Sequence, residues 1–132
     1  TIIDDYAHHP TEIKATLEAI KNYPHHKIWC VFQPHTYTRT KKLFHDFVHA
    51  FEGVDQIIIT DIYAAREKDT GEIHSKDLAL AISQDGQPCV YIQTFHHIAD
   101  YLRKNVVQGD IVITMGAGDI YEVGEMLLNN PA

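Results

Sequence analysis

The chain lacks the features that mark several large classes of protein. It has 2 cysteines in 132 residues, too few for the disulfide framework of a small secreted domain. Lys and Arg number 11 against 18 Asp and Glu, for a formal net charge of −7, which disfavours nucleic-acid binding because such proteins must neutralise phosphates. No apolar run is long enough to cross a bilayer, and no signal peptide is visible. We therefore expect a cytoplasmic protein.

Both cysteines lie in short apolar runs. Cys30 falls within residues 28–32 and Cys89 within residues 89–92. Free cysteine is among the most buried residue types and packs as a small hydrophobe. We predict two buried, unpaired thiols in strands.

What the sequence does have is an alternation of short apolar runs with amphipathic stretches. Strands are predicted at residues 1–5, 27–32, 56–60, 89–92 and 110–115. Helices are predicted from Pro10 to Tyr23, from the end of the 33–38 loop to about Glu52, and from a Ser75 cap to Ser83. Two more are predicted from a Thr94 cap to about Val107 and from Ile120 to Leu128. Residues 63–72 are predicted to form a surface loop. This order predicts an α/β, Rossmann-like three-layer domain, with a mostly parallel sheet of five to six strands and helices on both faces.

The length fits a single domain spanning residues 1–132. The sequence contains no internal repeat, low-complexity segment or linker. Thr1 already belongs to a predicted strand. We therefore expect this domain to be excised from a longer protein.

Function in such folds lies at the carboxyl ends of the strands, and the first of these ends is polar. Residues Asp4 to His9 immediately precede a helix that begins at Pro10. A helix N-terminus favours anions, so a histidine here could bind a phosphate or carboxylate, and an aspartate could accept from a ribose hydroxyl. A capped turn, in which Asp and His serve only the backbone, explains the same residues. The sequence leaves both interpretations open.

The second strand is followed by Arg39, near the start of a helix. Cations are disfavoured at that end of a helix, and a residue placed against its local preference is often functional. Arg39 could make a forked contact with a carboxylate. The alternative is a solvated arginine, or one paired with Asp46 or Glu12.

Two glycines, Gly116 and Gly118, follow the fifth strand. They permit close backbone approach to a ligand, although the sequence favours a tight turn without a ligand. His45 and His49 have a spacing that could hold a metal ion, but we interpret them as a solvated helix face and expect no metal site. The sequence has no Walker A loop and no nucleophile elbow, so any phosphate cradle must come from elsewhere.

Three of these runs resemble the C-terminal domain of Mur ligases. They are Asp4–Glu12 (DDYAHHPTE), Phe32–Thr40 (FQPHTYTRT) and Thr114–Ile120 (TMGAGDI), in the family's order and spacing. The second run most resembles the branch of the family that uses L-alanine. The resemblance extends over nearly the whole chain.

The resemblance implies a three-domain, ATP-dependent ligase that joins L-alanine to UDP-N-acetylmuramate through an acyl phosphate. The partners implied are UDP-N-acetylmuramate, L-alanine and ATP, together with the N-terminal and central domains of the same chain. ATP and magnesium would be held mainly by the central domain. The C-terminal domain would position the amino acid and close over the nucleotide, so in isolation we expect it to be inactive.

The resemblance also assigns roles to individual residues. The L-alanine contacts would be Tyr6, His8, His35 and Arg39. The nucleotide contacts would be Asp5, Tyr6 and His8. Gly116 and Gly118 would wall the pocket, and no residue of this domain alone would be catalytic or bind metal. Some alanine-adding members carry Arg where this chain has Thr36. The pocket of this chain therefore lacks that possible cation, and binding of the carboxylate would depend more on Arg39.

Other functions fit part of the same sequence. A murein tripeptide recycling ligase shares a similar first run, although we do not expect the Phe-Gln-Pro-His run there. A non-catalytic nucleotide- or anion-binding module would account for the parallel α/β pattern. A pure interaction domain would leave the clustered histidines and Arg39 unexplained.

Overall fold

The computed structural model describes residues 1–129. Its strands are β1 (Ile2–Asp5), β2 (Ile28–Phe32), β3 (Gln56–Ile59), β4 (Cys89–Tyr91) and β5 (Ile111–Met115). Its helices are α1 (Pro10–Lys21), α2 (Tyr37–Lys42), α3 (Phe44–Val48), α4 (Ser75–Gln84), α5 (Phe95–Asn105) and α6 (Tyr121–Asn129). The predicted domain extends to residue 132, three residues beyond the described part.

The five strands form one sheet in the order β1-β5-β2-β3-β4. Every neighbouring pair is parallel, which confirms the predicted fold class with five strands. Because β1, β5 and β2 are neighbours, the loops that follow them meet at one edge of the sheet. These are the loops in which the sequence analysis placed its candidate residues.

The sheet separates two apolar cores, because successive side chains of a strand point to opposite faces. On β2, Cys30 and Phe32 face the core formed with α1, α3 and α4. Trp29 and Val31 face the other core, formed with α5 and α6. Helices therefore cover both faces, as predicted.

The long second helix of the prediction is wrong, because the chain breaks it at Leu43 into α2 and α3. After α3 the backbone tightens into turns, and Ala50 N donates to the Phe47 carbonyl 3.1 Å away. Phe47 and Phe51 lie in the core, where their rings are 5.5 and 5.3 Å from that of Phe32. The predicted apolar face is therefore buried, but by a shorter helix followed by turns.

The predicted cap of α4 is also wrong. The N-cap is His74, whose Nδ1 accepts from Lys76 N at 3.0 Å, while Asp77 Oδ2 accepts from His74 N at 3.0 Å. This capping box satisfies the first-turn donors and leaves Ser75 as the first helical residue. Thr94, by contrast, caps α5 as predicted.

Both cysteines are free, but they are not equally enclosed. Cys30 is buried, whereas Cys89 is only partly buried, so the predicted burial is confirmed for the first alone. Burial raises the pKa of the Cys89 thiol to about 12, and it also raises the pKa of Cys30.

Within residues 1–129, no helix is both long and apolar enough to span a membrane.

Candidate functional site

The loop after β1 is folded by Asp5. Its Oδ1 accepts from Ala7 N at 2.8 Å, and its Oδ2 lies 3.4 Å from the Thr16 hydroxyl. The turn leaves Tyr6 well exposed and brings the His8 ring edge-on to it, with ring centroids 5.5 Å apart. Asp5 therefore shapes the loop, while Tyr6 and His8 present its aromatic surface.

The N-terminus of α1 is already capped. His9 Nδ1 accepts from Thr11 N at 3.2 Å, and Glu12 Oε1 accepts from the backbone N–H groups of His8 and His9 at 3.2 and 3.1 Å. The bond from His8, followed by that from His9, lowers the pKa of Glu12 below its ordinary value. These are the contacts of the capped-turn interpretation, and they occupy donors that a phosphate would use. The groups left for a ligand here are side chains.

The loop after β2 is tied to the segment that follows β3. Thr36 N donates to the Tyr63 carbonyl at 2.8 Å, and Tyr63 N donates to the Pro34 carbonyl at 2.8 Å. Thr36 has a φ of 65°, a left-handed conformation that is costly for a β-branched residue. Its hydroxyl accepts from Arg39 N at 3.3 Å and so caps α2. The strained turn at Thr36 therefore joins His35, in the loop after β2, to Arg39 in the first turn of α2.

His35 lies between His8 and Tyr63, and together with Arg39 these residues form the cluster at the candidate site. Its ring centroid is 5.7 Å from that of His8 and 5.5 Å from that of Tyr63, with the Tyr63 ring nearly parallel at 17°. Nδ1 of His35 is buried and has no hydrogen-bond partner among residues 1–129. Burial, then the charge of Arg39, then His8 lower the pKa of His35 below its ordinary value. His35 is therefore neutral near pH 7 and has an unused nitrogen.

Arg39 lies beside His35, half-buried. Its Nη1 is buried, and no described residue is its hydrogen-bond partner. Within residues 1–129, Arg39 forms no ion pair with Asp46 or Glu12, so neither of the paired alternatives is observed. Leaving a buried guanidinium donor unsatisfied is costly. A bound carboxylate would satisfy it.

The two glycines after β5 already have close protein neighbours. A Cβ on Gly118 would lie 2.6 Å from the Tyr63 ring and 2.7 Å from Gln33 Oε1, and a Cβ on Gly116 would lie 3.0 Å from the Gln33 carbonyl. Gln33 Nε2 donates to Asp119 Oδ1 at 2.8 Å and fixes the loop. Both glycines thus allow protein groups to pack closely. A ligand contact at either one stays a prediction.

Sequence reasoning missed Tyr63 and Gln33. Gln33 is buried, with an unpartnered Oε1, and Tyr63 covers both Gly118 and His35. The sequence analysis placed Tyr63 in a surface loop because the 63–72 segment is polar. The available signal was its position, since Tyr63 follows β3 by four residues and strand ends are where such sites form.

His45 and His49, the pair with metal-ligand spacing, lie on and just after α3. The rings of His45 and His49 are 4.8 Å apart, and His49 Nδ1 lies 3.4 Å from Asp85 Oδ2. In the part of the chain that the structure describes, no three His, Cys, Asp or Glu side chains are arranged to hold a metal ion.

Comparison with known proteins gives the chain relatives along almost its whole length. Residues 1–118 match the family described as Mur ligase, glutamate ligase domain. The chain is 60% identical over 131 residues to a UDP-N-acetylmuramate–L-alanine ligase from Acetivibrio thermocellus, an alignment that covers 98% of this chain and 28% of that protein. The chain thus spans little more than a quarter of the relatives that it matches.

Solved structures show the same fold. The UDP-N-acetylmuramate-alanine ligase of Thermotoga maritima is 23% identical with a TM-score of 0.77, covering 98% of this chain and 26% of that one. A murein peptide ligase from Psychrobacter arcticus is 18% identical with a TM-score of 0.71, covering 97% and 26%. With the family match spanning residues 1–118, the chain belongs to the Mur ligase family.

Proposed function

We propose that this chain is the C-terminal domain of a three-domain, ATP-dependent ligase that joins L-alanine to UDP-N-acetylmuramate in the synthesis of the peptidoglycan precursor. The proposal rests mainly on two buried nitrogen atoms at the carboxyl end of the sheet, Nδ1 of His35 and Nη1 of Arg39. Neither has a hydrogen-bond partner among residues 1–129. A small zwitterion such as alanine offers a carboxylate to Arg39 and an amine beside a neutral imidazole. Family membership supports the same conclusion.

The proposed reaction has two steps. The muramoyl carboxylate attacks the γ-phosphate of ATP and releases ADP, giving an acyl phosphate. The amine of L-alanine, as the free base, then attacks the carbonyl carbon, and the tetrahedral intermediate loses a proton to water and expels phosphate to leave the amide. Arg39 binds the alanine carboxylate, while His35, His8 and Tyr6 surround the rest of the amino acid. The domain contributes orientation and charge complementarity, and it supplies no nucleophile.

The nucleotide is proposed to contact the loop after β1, through Asp5, Tyr6 and His8. This loop fits the edge of a nucleotide better than its phosphate chain, because Glu12 already occupies N–H groups at the start of α1. ATP and magnesium would therefore be held mainly by a central domain outside this chain. In the assembled enzyme, closure of this domain would exclude water from the acyl phosphate. The reaction is proposed for the cytoplasm, where ATP is available.

The test is ATP-dependent phosphate release by the full-length enzyme. We expect release only when UDP-N-acetylmuramate and L-alanine are both present. Release with a pre-formed tripeptide in place of L-alanine would move the protein to the recycling branch. No release with either would favour a non-catalytic nucleotide- or anion-binding module.

A further inference from the structure

Tyr63 occupies a position that the proposed reaction does not yet explain. Its ring stacks on His35 at 17° and 5.5 Å. Its main chain exchanges hydrogen bonds with both neighbours of His35, from Thr36 N to the Tyr63 carbonyl and from Tyr63 N to the Pro34 carbonyl, each 2.8 Å. The segment after β3 is thus held against the loop after β2 by two backbone hydrogen bonds and by the stacking of Tyr63 on His35.

The Tyr63 ring also has a close neighbour in the loop after β5, although the residue is 36% exposed. Gly118 lies so near that a Cβ there would be 2.6 Å from the ring carbons. The same Cβ would be 2.7 Å from Oε1 of Gln33, which is 5% exposed and donates from Nε2 to Asp119 at 2.8 Å. The loops after β2, β3 and β5 therefore meet at Tyr63, and Gly118 limits the space beside its ring.

We propose that Tyr63 is a positioning residue, whose ring fixes the imidazole plane of His35 so that the incoming amino acid meets Nδ1 and Arg39 in one geometry. The proposal rests on the proposed function. A neutral imidazole directs its ring nitrogens only within its own plane, so its orientation decides whether it can reach an amine. Tyr63 sets that plane without itself contacting the reacting atoms.

The electrostatic surroundings of His35 agree with this role. The groups that face it are His8 from the loop after β1, Arg39 from α2 and Glu67 from the loop after β3. Burial and the two cationic or basic neighbours keep His35 neutral, and Glu67 opposes them weakly. A ring released from Tyr63 would move toward water and lose part of that burial.

The experiment compares Tyr63→Leu, Tyr63→Phe and Gly118→Ala in the full-length enzyme. Tyr63→Leu keeps apolar volume but removes the flat ring, and we expect it to raise the KM for L-alanine about tenfold while the KM for UDP-N-acetylmuramate changes less than about twofold. Tyr63→Phe retains the stack and should stay close to the wild type. Gly118→Ala should resemble Tyr63→Leu, because the added methyl group displaces the ring.

A KM for L-alanine that is unchanged in Tyr63→Leu would overturn the proposal. So would a Tyr63→Phe enzyme as impaired as Tyr63→Leu, since that result would place the effect in the hydroxyl and not in the stack.

A second readout does not depend on activity. The full-length enzyme is labelled at histidine, and the His35 signal is assigned by its loss in His35→Gln. We expect the NMR titration of His35 to move to higher pH in Tyr63→Leu, and an unmoved titration would contradict the positioning role. If the wild type releases no phosphate with L-alanine, the proposed function fails, while this titration still decides whether Tyr63 fixes His35.

Discussion

Arg39 has a guanidinium nitrogen for which the described residues provide no acceptor. A net contribution of roughly 1.5–3 kcal/mol is typical of a hydrogen bond to a charged group. That free energy becomes available only when a ligand brings the carboxylate. In the proposed function, that ligand is the amino acid, and the contact with Arg39 is open to a direct test.

Replacing Arg39 by Ala should raise the KM for L-alanine by about 10- to 100-fold, which is that free energy expressed as a ratio. The KM for UDP-N-acetylmuramate should change far less, because that substrate does not use Arg39. Steady-state phosphate release with each substrate varied in turn measures both values. Arg66→Ala, at an exposed arginine, is the matched control. Equal changes in both KM values would reject the assigned role.

His35 makes the stability of the domain depend on pH. Its folded pKa lies below the ordinary value of 6.5, so the unfolded chain takes up the proton first as pH falls. The stability contributed by the neutral ring is present above pH 6.5 and is lost between that value and the folded pKa. We expect His35→Gln to lose less stability than the wild type between pH 7.5 and pH 5.

Urea unfolding at several pH values measures this difference. His96→Gln, at an exposed histidine, is the control and should follow the wild-type curve. Parallel curves for the wild type and His35→Gln would show that His35 does not titrate differently in the folded protein.

At the scale of elements, the capping of α1 shows what local sequence can specify. His9 and Glu12 satisfy the first-turn donors reciprocally, and Pro10 suits the first helical position, so the start of this helix was predicted correctly. The start of α4 was predicted one residue too late, because serine is a common cap and histidine is not. The break at Leu43 had no local signal, since neither glycine nor proline lies between Tyr37 and Val48.

Glu12→Ala should destabilise the domain by about 1 kcal/mol, the usual value of a helix cap. Two backbone donors would lose their acceptor at a helix end whose dipole favours a negative charge. Thermal unfolding measures the change. Lys14→Ala, exposed on the same helix, should have little effect, and an equal loss in both variants would contradict the capping role.

Across the whole molecule, Asp110 is the buried acid with the most hydrogen bonds at the amino end of the sheet. It accepts from Lys27 N at 3.1 Å, Trp29 Nε1 at 2.9 Å and Val107 N at 3.1 Å. Burial alone would raise the pKa of Asp110, but these hydrogen bonds lower it. Within residues 1–129, the unpartnered buried atoms of Gln33, His35 and Arg39 lie at the carboxyl end, and one of Gln87 lies just before β4. Asp110 is thus a structural group at the end of the sheet opposite His35 and Arg39.

Asp110→Asn should lower the free energy of unfolding by about 2–4 kcal/mol, because the amide NH₂ would face N–H donors in place of an acceptor. Denaturant unfolding measures it, with Asp46→Asn at an exposed site as the control. In the full-length enzyme the KM for L-alanine should hardly change. A large rise in that KM would contradict the separation of the two ends.

The sequence predicted the parallel α/β fold, because strand–helix alternation permits few other topologies. It also predicted that candidate site residues lie in the loops after β1, β2 and β5, at the carboxyl end of the sheet. It did not predict one in the loop after β3. Tyr63 was missed because its role comes from Gly118 and His35, which lie far from it along the chain. Contacts of this kind depend on tertiary packing, which no local pattern encodes.

The position of β5 between β1 and β2 has a consequence for how the domain is made. Asp4 and Thr114 face each other across the β1–β5 ladder although they are 110 residues apart. During synthesis β1 has no strand to pair with until β5 has left the ribosome, and such distant pairing folds slowly. Because β5 lies between β1 and β2, the loop bearing His8 comes beside His35 only when that last strand inserts. A nascent or truncated chain that stops before β5 therefore lacks the strand that joins His8 to the group formed by His35, Arg39 and Tyr63.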